Sequence, residues 1–101
     1  MKKIFLILLL ATMVSGCTTY ALEVAEVAYK QGDYPMAISH AKIARKVSSD
    51  NSPEELRSLY ILARSYEASG DLKSAKYVYN MLLQSYPNSQ EAIDARRVVG
   101  Q

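Results

Sequence analysis

Cys17 is the residue of this chain best suited to covalent chemistry, because a cysteine thiolate is a strong nucleophile. It is the only cysteine among the 101 residues. Before it lie Lys2-Lys3, an almost wholly apolar run over 4–14, and the small residues Ser15 and Gly16. A positive start, a short apolar run and small residues at its end are the pattern of a secretory signal. The apolar run is too short for a stable membrane span, which needs roughly 20 residues.

The segment Val14-Ser15-Gly16-Cys17 resembles the lipobox of bacterial lipoproteins, in which an aliphatic residue and two small ones precede the cysteine. The resemblance implies that residues 1–16 are a signal peptide cleaved before Cys17, with Val14, Ser15 and Gly16 beside the cut. Cys17 would then carry a diacylglyceryl thioether at the start of a mature domain over 17–101. Two alternatives remain open, namely an ordinary signal peptide and an uncleaved anchor.

The charge of the mature chain is balanced. The full sequence holds 12 basic and 10 acidic residues, and Lys2 and Lys3 account for the whole excess. Nucleic acids and anionic membranes both attract proteins through an excess of positive charge. The sequence therefore predicts no nucleic-acid partner and a membrane attachment that depends on lipid. Each buried methylene contributes about 0.8 kcal/mol, so two or three acyl chains would hold the domain effectively permanently.

Thr18 follows the acylated position, and the residue there affects the membrane to which a lipoprotein is sorted. By resemblance to lipoprotein sorting in Gram-negative bacteria, an aspartate at this position would favour retention in the inner membrane. Thr18 therefore implies the periplasmic face of the outer membrane. In a Gram-positive cell the same signal would place the domain outside the cytoplasmic membrane.

No set of residues predicts catalysis or metal binding. His40 is the only histidine, and the sequence has no glycine-rich phosphate loop. Glu54 and Glu55, with Asp50 nearby, match a helix start, where negative charge is favourable. The sequence thus predicts a protein that is not an enzyme, with no cofactor beyond the covalent lipid on Cys17.

The mature chain is predicted to be helical throughout, because helix-forming residues dominate and no segment alternates with period two. Gly32-Asp33 and Gly70-Asp71 each combine a helix stop with an N-cap. Ser52-Pro53-Glu54-Glu55 has the pattern of a capped helix start, and Ser89 can cap the last helix. The predicted helices cover residues 19–31, 34–48, 53–69, 72–85 and 89–99.

An internal repeat of 38 residues pairs Gly32-Asp33 with Gly70-Asp71, Ala37 with Ala75, and Ala25 with Ala63. Such a period is typical of arrays of helical hairpins. The second unit resembles the tetratricopeptide repeat. The residues that carry this resemblance are Leu59, Leu62, Ala63, Tyr66, Gly70, Ala75, Tyr79, Leu82 and Pro87.

The first unit matches the repeat less closely, since alanines replace large residues. Its equivalent positions are Ala21, Val24, Ala25, Ala28, Gly32, Ala37, Ala41 and Ala44. The resemblance implies an all-α fold of antiparallel hairpins with about two and a half repeats, in which the last helix opens a third unit.

In tetratricopeptide arrays, the first helix of each hairpin lines a groove that takes a segment of a partner protein. By that resemblance the groove residues are Leu22, Glu26, Tyr29, Lys30, Arg57, Tyr60, Arg64 and Glu67. An ordinary solvated helix face is the competing interpretation. Some family members clamp a terminal carboxylate with asparagines and basic residues. The matching positions here are Glu23, Glu26, Ile61 and Arg64, so that clamp is not expected.

The resemblance implies a small lipid-anchored adaptor or scaffold that binds another envelope protein, in the assembly or regulation of an outer-membrane, secretion or pilus machine. The alternative is an inhibitor or immunity-type lipoprotein that blocks an enzyme or toxin, with the loop over 48–52 as its protruding element. Apolar surface on the first hairpin and around Ile93, Val98 and Val99 further predicts coverage by self-association or by a partner.

Overall fold

The computed structural model describes residues 19–100, and these residues form five α-helices with no β-strand in that range. The prediction of an all-α fold built from helical hairpins is therefore confirmed. None of the described helices is long and apolar enough to cross a membrane. Cys17 and the signal segment lie outside the described residues. In chain order the helices are α1 over 19–30, α2 Tyr34–Val47, α3 Pro53–Ala68, α4 Leu72–Ser85 and α5 Glu91–Val99.

The turn within each hairpin, α1 to α2 and α3 to α4, uses the same two residue types. Gly32 and Gly70 have φ angles of +80° and +91°, which glycine adopts without a side-chain clash. Asp33 and Asp71 follow, and each side chain accepts a hydrogen bond from the backbone N–H three residues further on, at 3.3 Å and 3.1 Å. The helix stop and the next N-cap thus occupy consecutive residues, which makes the two helices of each hairpin antiparallel neighbours.

The connection between the two hairpins is closed by hydrogen bonds at the start of α3. The Ser52 hydroxyl accepts from the backbone N–H of Glu55 at 3.1 Å, as an N-cap does. The Glu55 carboxylate reaches back to the N–H of Asn51 at 3.4 Å, one residue before the position a capping box uses. Asn51 has a φ angle of +59°, a conformation that asparagine tolerates better than most residues.

Helix α5 begins at Glu91, two residues later than the sequence predicted, because residues 87–90 form a turn. Ser89 lies one residue before the N-cap, Gln90, and still bonds to the start of the helix. Its hydroxyl accepts from the backbone N–H of Ala92 at 3.2 Å and donates to the carbonyl of Tyr86 at 2.8 Å. The serine therefore satisfies an N-terminal amide of α5 from outside the helix.

The core consists of alanines where helices approach closely and of larger side chains around them. The fully buried alanines are Ala25, Ala37, Ala41, Ala44, Ala63, Ala75, Ala92 and Ala95. The largest fully buried apolar side chains, Tyr79, Leu82 and Val98, belong to α4 and α5. The largest core side chains therefore lie after the first hairpin, which packs mainly through small side chains.

The nine residues that carry the repeat resemblance occupy two kinds of position. Leu59, Leu62, Ala63, Ala75, Tyr79 and Leu82 lie in the core, and Tyr66 packs against it. Gly70 and Pro87 lie exposed in the turns after α3 and α4.

The prediction of an exposed apolar edge on α5 is wrong for two of its three residues. Val98 is fully buried and Val99 packs against the core, because this face of α5 lies against the preceding hairpin. Ile93 alone of the three is exposed, at 57%. On the first hairpin, Val27, Ile43 and Val47 are each about half exposed.

Candidate functional site

The candidate site is a groove of about 250 Å³ on the face formed by the first helices of the units. Helix α1 and helix α3 form its walls, and the start of α5 closes one side. The groove residues are Glu26, Tyr29, Lys30, Arg57, Tyr60, Ile61, Arg64 and Glu91. Six of the eight residues predicted for a partner groove are therefore brought together.

Two predicted groove residues lie elsewhere. Leu22 is only 8% exposed and belongs to the core, because its side chain turns towards the neighbouring helices. It lines a neighbouring depression of about 300 Å³ with Glu26 and Arg57, so it lies beside the predicted groove and offers little exposed area. Glu67 lines a separate depression of about 300 Å³ beside Arg97, adjacent to the groove.

An arginine at the centre of the groove joins α1, α3 and α5. Arg64 donates from Nε and Nη2 to the hydroxyl of Tyr29, at 3.3 Å and 3.2 Å. Its Nη1 lies 3.6 Å from Oδ2 of Asp94. The guanidinium carbon also lies 5.9 Å and 5.7 Å from the ring centroids of Tyr29 and Tyr60, within range of cation–π attraction. The hydrogen bond to Tyr29 raises the pKa of Arg64 above its ordinary value.

Further polar contacts fix the other groove side chains. The hydroxyl of Tyr60 donates to Oδ2 of Asp94 at 2.5 Å, which connects α3 to α5. Burial, followed by this hydrogen bond, raises the pKa of Tyr60 above its ordinary value. Arg57 forms an ion pair with Glu26, which connects α3 to α1. The groove is thus held in shape by contacts between three helices.

A second network lies at the end of the groove, around Glu67. Its Oε1 accepts from the hydroxyl of the buried Tyr79 at 2.9 Å, and its Oε2 lies 3.7 Å from Nη2 of Arg97. Burial and then this bond to the carboxylate raise the pKa of Tyr79 well above its ordinary value. Glu67 therefore joins the core tyrosine to the surface of α5.

The groove residues that α5 provides were not predicted from the sequence. Glu91 lines the groove, Asp94 accepts from Tyr60, and Arg97 pairs with Glu67. These three residues recur at a spacing of three, which places them along one helix face. The spacing could have indicated that these three residues share a face of α5. It could not indicate which side chains they contact, because those contacts depend on how α5 packs.

The arrangement suits recognition of a protein segment. Tyrosine and arginine side chains offer large contact area with polar ends, and here their positions are set before any partner arrives. Lys30 adds an exposed cation at the rim. Within residues 19–100, no group of three or more His, Cys, Asp or Glu side chains is placed to hold a metal ion.

Stability at alkaline pH is expected to depend on the hydrogen-bonded tyrosines. Burial, and then the bond to the Glu55 carboxylate, raises the pKa of Tyr86 from 10.0 to about 12. The folded state holds this proton more tightly than the unfolded state does. The resulting stability is therefore complete below pH 10.0 and is lost as the pH rises through about 12. Tyr60 adds to the effect with the same sign.

Urea denaturation of the protein between about pH 8 and about pH 11 measures this dependence. The Tyr86→Phe variant should be less stable than the parent near pH 8 but should lose less stability on going to pH 11. Equal losses in the two proteins would contradict the assignment.

Paired hairpins whose first helices line a common face define a helical-repeat protein of the class that binds other proteins. A family model of the tetratricopeptide repeat matches residues 17–88, and the chain belongs to this family. A second model, of the prokaryotic membrane lipoprotein lipid attachment site, matches residues 1–18 and indicates a membrane-anchored envelope lipoprotein. No curated protein and no solved structure matches the chain.

Proposed function

We propose that this protein is a lipid-anchored adaptor of the bacterial envelope whose groove binds a segment of another envelope protein. The observation that carries the proposal is the preformed set of tyrosine and arginine side chains between α1, α3 and α5. Arg64 lies between two tyrosine rings and contacts Tyr29 on α1 and Asp94 on α5. Such side chains dominate the binding energy of many protein interfaces.

The position of the anchor supports a partner close to the membrane. Only Thr18 separates Cys17 from the first described residue of α1. With so short a tether, a lipid on Cys17 would keep the domain against the bilayer. The proposed setting is the periplasmic face of the outer membrane, where an adaptor could act in the assembly or regulation of an outer-membrane, secretion or pilus machine.

The loop over 48–52 supports an adaptor better than an inhibitor that inserts a plug. An inhibitory plug has to insert into its target as a free segment, whereas local hydrogen bonds tie this loop to the end of α2 and to itself. The hydroxyl of Ser48 donates to the carbonyl of Arg45 at 2.9 Å, and the hydroxyl of Ser52 donates to the carbonyl of Ser49 at 2.6 Å. The groove is therefore the stronger candidate for the binding surface.

Photocrosslinking in the native cell tests the proposal. The photoreactive residue benzoylphenylalanine should replace Lys30, which is exposed at the groove rim. Tyr60 is less suitable, because its hydroxyl bonds to Asp94. Lys76 on α4 does not line the groove and provides the control position.

A discrete adduct with another envelope protein is expected from Lys30 and not from Lys76. Mutation of Arg64 to Met keeps the length of the side chain but removes its charge, and the adduct should weaken by roughly tenfold. Adducts only between copies of this chain, or equal adducts from both positions, would contradict the adaptor.

A further inference from the structure

A second and larger depression lies away from the groove, between the second helices of the two hairpins. It has a volume of about 900 Å³, against about 250 Å³ for the groove. We call it the basic cleft and define it by Lys42, Arg45 and Lys46 of α2, Lys73 and Tyr77 of α4, and Tyr66 of α3. Leu62, Val78 and Met81 complete its floor.

The basic cleft concentrates positive charge in a domain whose mature sequence is balanced. Four basic side chains line it, against two acidic ones, Asp50 and Glu55. Glu55 is already engaged, since its carboxylate accepts from the hydroxyl of Tyr86 at 2.5 Å. Within residues 19–100, the ion pairs involve Arg57, Arg64 and Arg97 and none of the four cleft cations. The ion pairs of the described residues therefore lie in the groove and beside it, and none lies in the cleft.

Two of the four cleft cations, Lys42 and Arg45, contact an aromatic ring and a thioether sulfur. The Nζ atom of Lys42 lies 5.9 Å from the ring centroid of Tyr66, and Nη2 of Arg45 lies 3.6 Å from the sulfur of Met81. Tyr77 stands at the rim with 68% of its surface exposed. A ligand that brings carboxylates can pair with these cations without breaking an existing ion pair.

We infer that the basic cleft binds an acidic amphipathic helix of a partner protein. The apolar floor takes one face of such a helix, and the basic rim takes its carboxylates. A flat anionic membrane surface fits less well, because the cations surround a depression. The surface and the chemistry differ from those of the groove, so this second site does not depend on the proposed function.

Benzoylphenylalanine in place of Tyr77, in the full-length protein in its native cell, tests the inference. The substitution keeps an aromatic side chain at the rim, and a probe in place of Lys76 on the same helix is the positional control. Mass spectrometry of the adduct identifies the captured segment. A second test compares two charge reversals on α4, Lys73→Glu and Lys76→Glu. The two positions are three residues apart, and only Lys73 lines the cleft.

The expected result is an adduct from the Tyr77 probe alone, mapped to an acidic segment of another protein. Lys73→Glu and Lys42→Glu should each reduce its yield by roughly tenfold, and Lys76→Glu should leave it unchanged. Neither reversal in the cleft endangers the fold, since Lys42 is exposed and a glutamate in the first turn of α4 suits the helix dipole. The inference would be overturned by an adduct to lipid or to a basic or uncharged segment. It would also be overturned by an adduct whose yield does not change on charge reversal, or by the absence of any adduct. The Lys30 probe reports on the groove separately.

Discussion

Replacement of Tyr79 by alanine is expected to remove a large part of the free energy of unfolding of the protein. Tyr79 is the largest fully buried side chain, and its removal leaves a cavity that costs about 3–5 kcal/mol of stability. The free energy of unfolding of a domain of this size is about 4–12 kcal/mol. Urea denaturation followed by circular dichroism measures the loss.

Tyr79→Phe is the matched control for this prediction. It keeps the ring in the core and removes only the hydroxyl that donates to Glu67. Loss of one such bond to a charged group costs about 1.5–3 kcal/mol, so this variant should remain folded. If alanine and phenylalanine destabilise the protein equally, the ring does not fill the core as described.

The helices could be predicted because their ends are determined by local chemistry. Glycine followed by aspartate stops one helix and starts the next within two residues, and Gly32 and Gly70 both adopt the positive φ that this requires. Ser52 likewise caps α3 through a hydrogen bond to a residue only three positions further along the chain. The start of α5 was placed two residues early because Ser89 bonds to the Ala92 N–H from within the preceding turn, and Gln90 is the N-cap.

The groove could be predicted in part, and what was missed depends on packing between helices. A repeat pattern indicates which helices line the shared face, and this brought Tyr29, Tyr60 and Arg64 together. It does not indicate how deeply a residue lies on that face, and Leu22 proved to belong to the core. The role of Asp94 depends on the distance between α5 and α3, which no local pattern determines.

The basic cleft could not be predicted for the same reason. Lys42 and Lys46 are four residues apart on α2, so the sequence does show a basic helix face. Nothing in it shows that Lys73 and Tyr77 of α4 lie across a depression from that face. The distance between α2 and α4 is determined by the alanines and larger side chains that pack beneath them.

Mutation of Cys17 to Ser is expected to abolish lipid attachment completely. Cys17 lies outside the described residues but within the matched lipid attachment site. A serine hydroxyl is a far weaker nucleophile than a thiolate and cannot form the thioether. Labelled fatty acid should therefore enter the parent protein and not the variant. The intact mass of the parent should be that of residues 17–101 plus acyl chains, which tests the proposed cleavage after residue 16.

The same experiment separates the lipoprotein from its two alternatives. A parent protein cleaved at another position and unlabelled by fatty acid would indicate an ordinary signal peptide, and a parent that retains residues 1–16 would indicate an uncleaved anchor. A third form, Cys17→Ser exported behind an ordinary cleavable signal, tests what else holds the domain to the membrane. Because the mature sequence has no net charge, we expect this form in the soluble fraction. Its retention on the membrane would show that a contact other than the acyl chains holds the domain there, and the Lys30 and Tyr77 probes would then distinguish a partner protein from lipid.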